Sequence, residues 1–169
     1  MLILGKGMVL VWLFVGCGGV RGDQAEGLVL NEVLARNTIT NVDDAGEFDD
    51  WIEIFNGGEE PVSRKDLFLS DDGNAPARWP LPEGDPIEPG TWLLVWADGQ
   101  PEQGEMHAPF KIGGMGETVV FSYIGSGEPR TIDQVDFGEQ LPDLAWARVP
   151  NGGVEWVAAT PTPGETNGE

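Results

Sequence analysis

Residues 51–55 (WIEIF) form a short run of branched and aromatic residues that ends at the turn sequence Asn56-Gly57-Gly58. Comparable runs of four to eight residues recur along the chain, bounded by glycine, proline, asparagine or aspartate. Runs of this length and composition predict β-strands joined by turns. They lie at 28–34 (LVLNEVL), 67–70 (LFLS), 91–97 (TWLLVWA), 118–124 (TVVFSYI), 131–137 (TIDQVDF), 145–149 (AWARV) and 155–158 (EWVA).

Three of the runs allow more specific expectations. The run 91–97 is apolar almost throughout, which is typical of a strand buried on both faces. In the run 131–137, Ile132 and Val135 fall out of alternation, which predicts a β-bulge or an irregular pairing. A shorter run at 78–81 contains Pro80, and because proline cannot donate to a strand ladder we expect an edge strand or a turn there.

The composition favours many short strands over helices. The 169 residues include 25 glycines and 13 prolines. In a helix interior a glycine costs about 1 kcal/mol and a proline about 3 kcal/mol, so long helices are excluded. About nine strands without a helical pattern predict a single domain that is a β-sandwich or a barrel.

The charge balance limits the classes of partner. The chain has 29 acidic residues against 9 basic ones, a formal net charge of −20. Nucleic-acid binding depends on basic residues that neutralise phosphates, so we do not expect a nucleic-acid partner. Electrostatic attachment to anionic lipid is excluded for the same reason.

The first 27 residues predict export and anchoring. Residues 1–16 combine one positive charge with an apolar run at 8–15 that is too short to span a membrane, and they are typical of a signal peptide. Cys17 is the only cysteine. The small residues around it resemble the signal of bacterial lipoproteins, in which such a cysteine is acylated. We expect residues 17–27 to form a flexible tether. Secretion without a lipid is the alternative.

Eight segments resemble, in order, the lamin-tail domain family. The resemblance covers residues 28–167, which we take as one domain, and it implies an immunoglobulin-like β-sandwich of about 8–9 short antiparallel strands. It also implies an accessory or interaction module without catalytic residues. The segments are 30–33 (LNEV), 50–56 (DWIEIFN), 67–72 (LFLSDD), 87–96 (IEPGTWLLVW), 110–112 (FKI), 116–119 (GETV), 148–152 (RVPNG) and 162–167 (TPGETN).

The residues offer few means of catalysis, and we therefore expect that the protein is not an enzyme. His107 is the only histidine, and the one cysteine is assigned to the anchor. The chain has no G-x-S-x-G elbow, no phosphate-binding loop and no His/Cys cluster that suits zinc. With 29 acidic residues, some pair always has the separation that glycoside hydrolysis needs, so that signal carries no information.

The segment 41–50 (NVDDAGEFDD) is the most informative polar stretch. Its oxygen-rich side chains suit calcium, which takes 6–8 oxygen ligands, although the EF-hand pattern is absent. The alternative is a solvated acidic loop without a metal. The candidate calcium ligands are Asp43, Asp44, Glu47, Asp49 and Asp50.

Two acidic residues lie inside apolar strands. Glu32 and Glu53 need partners if they are buried, because an unsatisfied buried polar group costs about 1–3 kcal/mol. We expect one of them to pair with Arg36, Arg78 or Arg148.

These observations favour a non-catalytic, lipid-anchored binding module of the cell envelope, on the outer membrane or the cell surface. Its expected partner is a protein or another envelope component such as a glycan, and it meets the membrane only through the lipid. The first alternative is a calcium-dependent carbohydrate-binding module. The least favoured is a secreted hydrolase.

The anchor gives the first testable prediction. Mass spectrometry of the mature protein from its native host should find an N-terminal Cys17 that carries fatty acyl groups. A mature N-terminus at another residue, or an unmodified Cys17, would contradict lipidation.

Overall fold

The computed structural model describes residues 25–168, which contain nine strands and no helix. The predicted signal peptide, Cys17 and the tether up to residue 24 lie outside the described residues. Within residues 25–168 there is no apolar helix of membrane-spanning length. The strands are β1 (Leu28–Leu34), β2 (Trp51–Asn56), β3 (Leu67–Ser70), β4 (Trp79–Pro80), β5 (Trp92–Trp96), β6 (Gly116–Tyr123), β7 (Arg130–Gly138), β8 (Ala145–Arg148) and β9 (Trp156–Ala159).

The strands form two sheets that pack face to face. A five-stranded sheet has the order β5-β2-β1-β8-β9, and a four-stranded sheet has the order β4-β3-β6-β7. Neighbouring strands pair antiparallel throughout. Aliphatic and phenylalanine side chains from both sheets fill the space between them. The predicted all-β sandwich is therefore confirmed, and its immunoglobulin-like subtype stays a prediction.

The topology confirms two of the three specific expectations for single strands and contradicts the third. The predicted bulge is confirmed, since the register of β7 against β6 shifts at Ile132, between the paired residues Thr131 and Asp133. Strand β4 forms an edge, as its proline predicts. The expectation for β5 was wrong, because β5 is an edge strand with mostly half-buried side chains. Residues 106–108 cover that edge through two backbone hydrogen bonds with Trp96.

Strands β1 and β2 are buried on both faces. Leu30, Val33 and Ile54 lie in the core between the sheets. Because side chains alternate along a strand, Glu53 points to the opposite face, and a register shift after Leu30 places Glu32 directly beside it. Both glutamates have no exposed surface.

The C-terminal segment covers these two glutamates. The backbone N–H of Thr162 donates to Glu32 Oε1 at 3.1 Å, and that of Gly164 donates to Glu53 Oε2 at 2.6 Å. Asn31 completes the arrangement by donating to Glu53 Oε1 at 3.0 Å. The segment is therefore attached to the outer face of β1 and β2 by hydrogen bonds that the buried carboxyl groups accept.

Burial raises the pKa of both glutamates to about 7, against the hydrogen bonds that favour the charged forms. The surroundings of Glu32 suit a neutral carboxyl. The single hydroxyl proton of Thr162 faces two oxygens, Glu32 Oε2 at 3.1 Å and Asn167 Oδ1 at 2.8 Å. A protonated Glu32 can donate to the hydroxyl oxygen, which then donates to Asn167.

The glutamates do not pair with arginine, so that expectation was wrong. Their partners are backbone N–H groups and uncharged side chains. Arg148 instead forms a two-contact ion pair with Asp133 of β7, at 3.0 and 2.8 Å. Asp133 also accepts a hydrogen bond from the backbone N–H of Leu30 at 2.9 Å, so it joins the two sheets. Arg78 pairs with Asp71, and Arg36 lies 4.0 Å from Glu139.

The raised pKa values predict how stability depends on pH. The folded pKa of about 7 lies above the ordinary glutamate pKa of 4.5, so folding takes up protons between these limits. The free energy of unfolding should fall as pH rises from about 4.5 to 7, by up to about 3 kcal/mol for Glu32. Urea unfolding across this range measures the slope.

The variant Glu32→Gln should lose the part of the pH dependence of the free energy of unfolding that Glu32 causes. It should also be more stable than the wild type at pH 8. Its amide can donate to the Thr162 hydroxyl as the protonated carboxyl does. The exposed Glu155→Gln serves as the matched control and should keep the wild-type slope. Identical slopes in all three proteins would show that Glu32 is not the group responsible.

Candidate functional site

Three long connections meet at one end of the sandwich, which we call the loop end. Strand pairing brings the first two together, since Trp51 at the start of β2 pairs with Trp96 at the end of β5. The connection between β5 and β6 contacts the one between β7 and β8 through a hydrogen bond that Gln140 N donates to Gly114 O at 2.9 Å. The connections are residues 35–50 between β1 and β2, 97–115 between β5 and β6, and 139–144 between β7 and β8.

The buried Asn37 folds the first connection back on itself. Its side-chain amide donates to the carbonyl oxygens of Asn41 at 2.8 Å and Asp49 at 2.9 Å. Its backbone N–H donates to Asp50 Oδ1 at 2.8 Å. The indole N–H of Trp51 donates to Asn41 Oδ1 at 2.8 Å. The acidic segment between Asn41 and Asp49 is therefore fixed at both of its ends.

Asp143 joins the first connection to the third. Its carboxylate accepts hydrogen bonds from the backbone N–H groups of Thr38 at 2.8 Å and Ile39 at 3.0 Å, and from the hydroxyls of Thr38 and Thr40. Desolvation would raise the pKa of Asp143, but these hydrogen bonds to the charged form outweigh it and lower that pKa to about 2. The charged carboxylate therefore persists over almost the whole pH range.

Asp43, Asp98 and His107 form a buried group in the loop end. Their exposed fractions are 7%, 2% and 5%. One potential ligand atom from each lies within 4.8 Å of the others. His107 Nδ1 lies 2.5 Å from Asp98 Oδ2, and the imidazole stacks on Trp96 with ring centroids 6.1 Å apart. The position of the imidazole is therefore determined by both contacts.

Asp43 also belongs to a second group, with the more exposed residues Glu47 and Asp49. Glu47 N donates to Asp43 Oδ1 at 2.8 Å. The side-chain amides of Gln103 and Gln100 donate to Glu47 Oε2 and lower the pKa of Glu47. The Oδ2 atoms of Asp43 and Asp49 are buried and have no hydrogen-bond partner. The two groups share Asp43 and form one continuous cluster.

The cluster concentrates negative charge. Burial raises the pKa of Asp49, and three neighbouring carboxylates add to the rise, Asp98 most strongly. Burial also raises the pKa of Asp50 to about 6, although a backbone hydrogen bond opposes it. Like charges at this spacing disfavour one another, and a cation placed among them would reverse that effect.

The structure brings together three of the five predicted calcium ligands. Asp43, Glu47 and Asp49 lie in the cluster. Asp44 is exposed and belongs to neither group. Asp50 also belongs to neither group, and its Oδ1 accepts the backbone hydrogen bond from Asn37. Calcium itself stays a prediction.

Sequence reasoning missed Asp98 and His107. Nine residues separate them, and that spacing matches no metal motif. Only the pairing of β2 with β5, which the sequence does not show, reveals them, because it places Ala97 next to Asp50 through a 2.8 Å backbone hydrogen bond. Given that pairing, Asp98 must lie beside the acidic loop.

A surface cavity of about 220 Å³ lies at the opposite end of the sandwich. The residues that line it are Ser63, Lys65, Glu83 and Gly84. This lining includes neither a histidine nor a cysteine, so a serine there has no imidazole base.

The Asp143 contacts yield a prediction about the order of the loop end. Asp143→Asn removes the charge but keeps a residue that tolerates the positive φ of 55° at this position. We expect the amides of Thr38 and Ile39 to exchange hydrogen about tenfold faster in this variant, since one charge-assisted contact is lost. Glu139→Gln, in the same connection, should leave that exchange unchanged. Equal exchange in wild type and Asp143→Asn would contradict the assignment.

Comparison with known proteins adds no relatives: no family model, no curated protein and no solved structure matches the chain. The resemblance to lamin-tail domains therefore stays a prediction from the eight sequence segments.

Proposed function

We propose that the protein is a non-catalytic binding module of the cell envelope, held by a lipid on Cys17, that recognises a protein or another envelope component through its loop end. The resemblance to lamin-tail domains, with the immunoglobulin-like fold that it implies, supports an interaction role. The acidic composition supports a partner other than nucleic acid.

The observation that carries the proposal is that the start of β1 and the loop end lie at opposite ends of the sandwich. Strand β1 begins at Leu28, which pairs with Asn56 at the far end of β2. It then runs to Leu34, where the loop end begins. An anchor N-terminal to β1 therefore joins the sandwich at the end remote from the three connections and leaves them free for a partner.

The loop end also carries most of the exposed large apolar side chains of the described residues. Seven large apolar side chains are exposed among the described residues, and five of them belong to the three connections. Exposed apolar side chains that cluster within a polar rim are typical of interaction sites. These five are Ile39, Val42, Phe48, Met115 and Leu141.

The chemistry of the loop end supports binding more than catalysis. Asp98 and His107 resemble the orienting pair of a hydrolytic triad, but both are buried and the imidazole lies under Trp96. A general base must reach the proton that it removes from a bound substrate, directly or through one water molecule. A binding role needs no such access.

Cation-dependent carbohydrate recognition is the second candidate, and the carboxylate cluster favours it. Sugar stacking requires an accessible aromatic face, but the six described tryptophans are buried or half-buried. A glycan array with and without a chelator tests this role. Selective, chelator-sensitive binding would favour it over protein recognition.

The leading proposal predicts that loop-end side chains control partner capture. A variant with Ile39→Ser, Phe48→Ser and Leu141→Ser should recover its envelope partner from crosslinked extract at least about tenfold less well than the wild type, since truncated interface anchors typically cost 1–4 kcal/mol. Quantitative mass spectrometry of the captured proteins gives the measurement.

The matched control changes two exposed apolar residues outside the three connections, Val154→Ser and Val157→Ser. This control should capture the same partner as the wild type. Equal loss in both variants, or no reproducible partner for the wild type, would count against a loop-end binding surface.

A further inference from the structure

We propose that Asp43, Asp98 and His107 form a binding site for a divalent transition-metal ion such as Zn²⁺, with Glu47 and Asp49 supplying carboxylates on the more exposed side. This site stands independently of the proposed binding function, and its test needs no partner.

The spacing of the side chains suits a single ion. Zinc lies about 2.0–2.2 Å from nitrogen and oxygen ligands, so two ligands of one tetrahedral ion are about 3.3–3.6 Å apart. Potential ligand atoms of Asp43, Asp98 and His107 already lie within 4.8 Å of one another, and so do those of Asp43, Glu47 and Asp49. Side-chain adjustments that bring these atoms closer together by up to about 1 Å would place either set at coordination distance.

An independent observation points to a missing ligand. Asp43 is more than nine-tenths buried, and its Oδ2 atom has no hydrogen-bond partner, while its Oδ1 accepts the N–H of Glu47. Leaving a buried carboxylate oxygen unpaired is costly. The buried Oδ2 of Asp49 is also without a partner. A metal ion bound by the carboxylates of Asp43 and Asp49 would provide the ligand contact that these oxygens lack.

The donor types distinguish between metals. Calcium takes 6–8 oxygen ligands, whereas imidazole nitrogen suits zinc and other first-row transition metals. An imidazole with two buried carboxylates gives a mixed nitrogen and oxygen set that zinc commonly accepts. His107 therefore changes the expected ion from the calcium that the acidic loop alone indicates.

Neighbouring groups orient the proposed ligands before any metal binds. The backbone N–H of Gln100 donates to Asp98 Oδ1 at 2.8 Å, and Trp96 stacks on the imidazole of His107. A Cβ atom at Gly104 would lie 3.1 Å from Cδ2 of His107, so the glycine leaves just enough room for the ring. Such outer contacts hold metal ligands in position and raise affinity.

The test uses the full mature protein, freed of metal with a chelator and then titrated with Zn²⁺, Co²⁺ or Ca²⁺ by calorimetry. We expect one Zn²⁺ per chain, at least about tenfold tighter than Ca²⁺, and a rise of several degrees in melting temperature at saturation. Co²⁺ should give the visible absorption of a nitrogen- and oxygen-ligated ion. The absence of heat and of a melting shift with Zn²⁺ would overturn the site, and tighter binding of Ca²⁺ would overturn the choice of metal.

Variants locate the ion. Asp43→Asn keeps the Oδ1 acceptor for Glu47 and loses the free carboxylate oxygen, so it should weaken Zn²⁺ binding at least about tenfold without lowering the metal-free melting temperature. His107→Gln should weaken Zn²⁺ more than Ca²⁺ and abolish the Co²⁺ spectrum. Asp44→Asn, an exposed change in the same loop, should bind as the wild type does. Unchanged Zn²⁺ affinity in both Asp43→Asn and His107→Gln would contradict the assignment.

Discussion

Burial of both faces of the β1–β2 pair is the constraint on which the rest of the structure depends. One face packs against the opposite sheet, and the other carries Glu32 and Glu53, which no solvent reaches. Because these carboxyl groups require hydrogen-bond donors, the chain must return over them, and Thr162 and Gly164 supply the donors. Two acidic residues within apolar strands thus hold the last segment of the domain against its first strand.

The molecule contains two buried polar clusters, which differ in how completely their carboxyl oxygens are hydrogen-bonded. Around Glu32 and Glu53, both oxygens of each carboxyl group have a partner within the chain. At the loop end, Asp43 and Asp49 each keep one buried oxygen without a partner. A complete network makes the fold specific, whereas the unpaired oxygens at the loop end belong to the carboxylates that the proposed metal ion would bind. This difference, more than the number of acidic residues, separates the structural carboxyl groups from the candidate site.

Local patterns were sufficient to predict the strands. Turn residues and alternation identified the nine strand positions, the bulge at Ile132 and the edge position of the strand with Pro80. The order of the strands was not readable, because it depends on contacts between distant segments. The apolar run 91–97 was therefore predicted to be a strand buried on both faces, although β5 is an edge strand that residues 106–108 cover. The same limit applies to the candidate site: the acidic loop was visible, but Asp98 and His107 reach it only through the pairing of β2 with β5.

The position of β1 has a mechanical consequence. This strand is the first among the described residues, it lies between β2 and β8, and its backbone is also bound to Asp133 of the other sheet. A force applied between Leu28, at the start of β1, and the loop end would run along β1. Hydrogen bonds between antiparallel strands are perpendicular to the strand axis, so such a force would load the ladder bonds on both sides together instead of opening them one at a time. A domain pulled in this direction is loaded in shear, and β1 separates from its neighbours only when the hydrogen bonds on both of its sides break together.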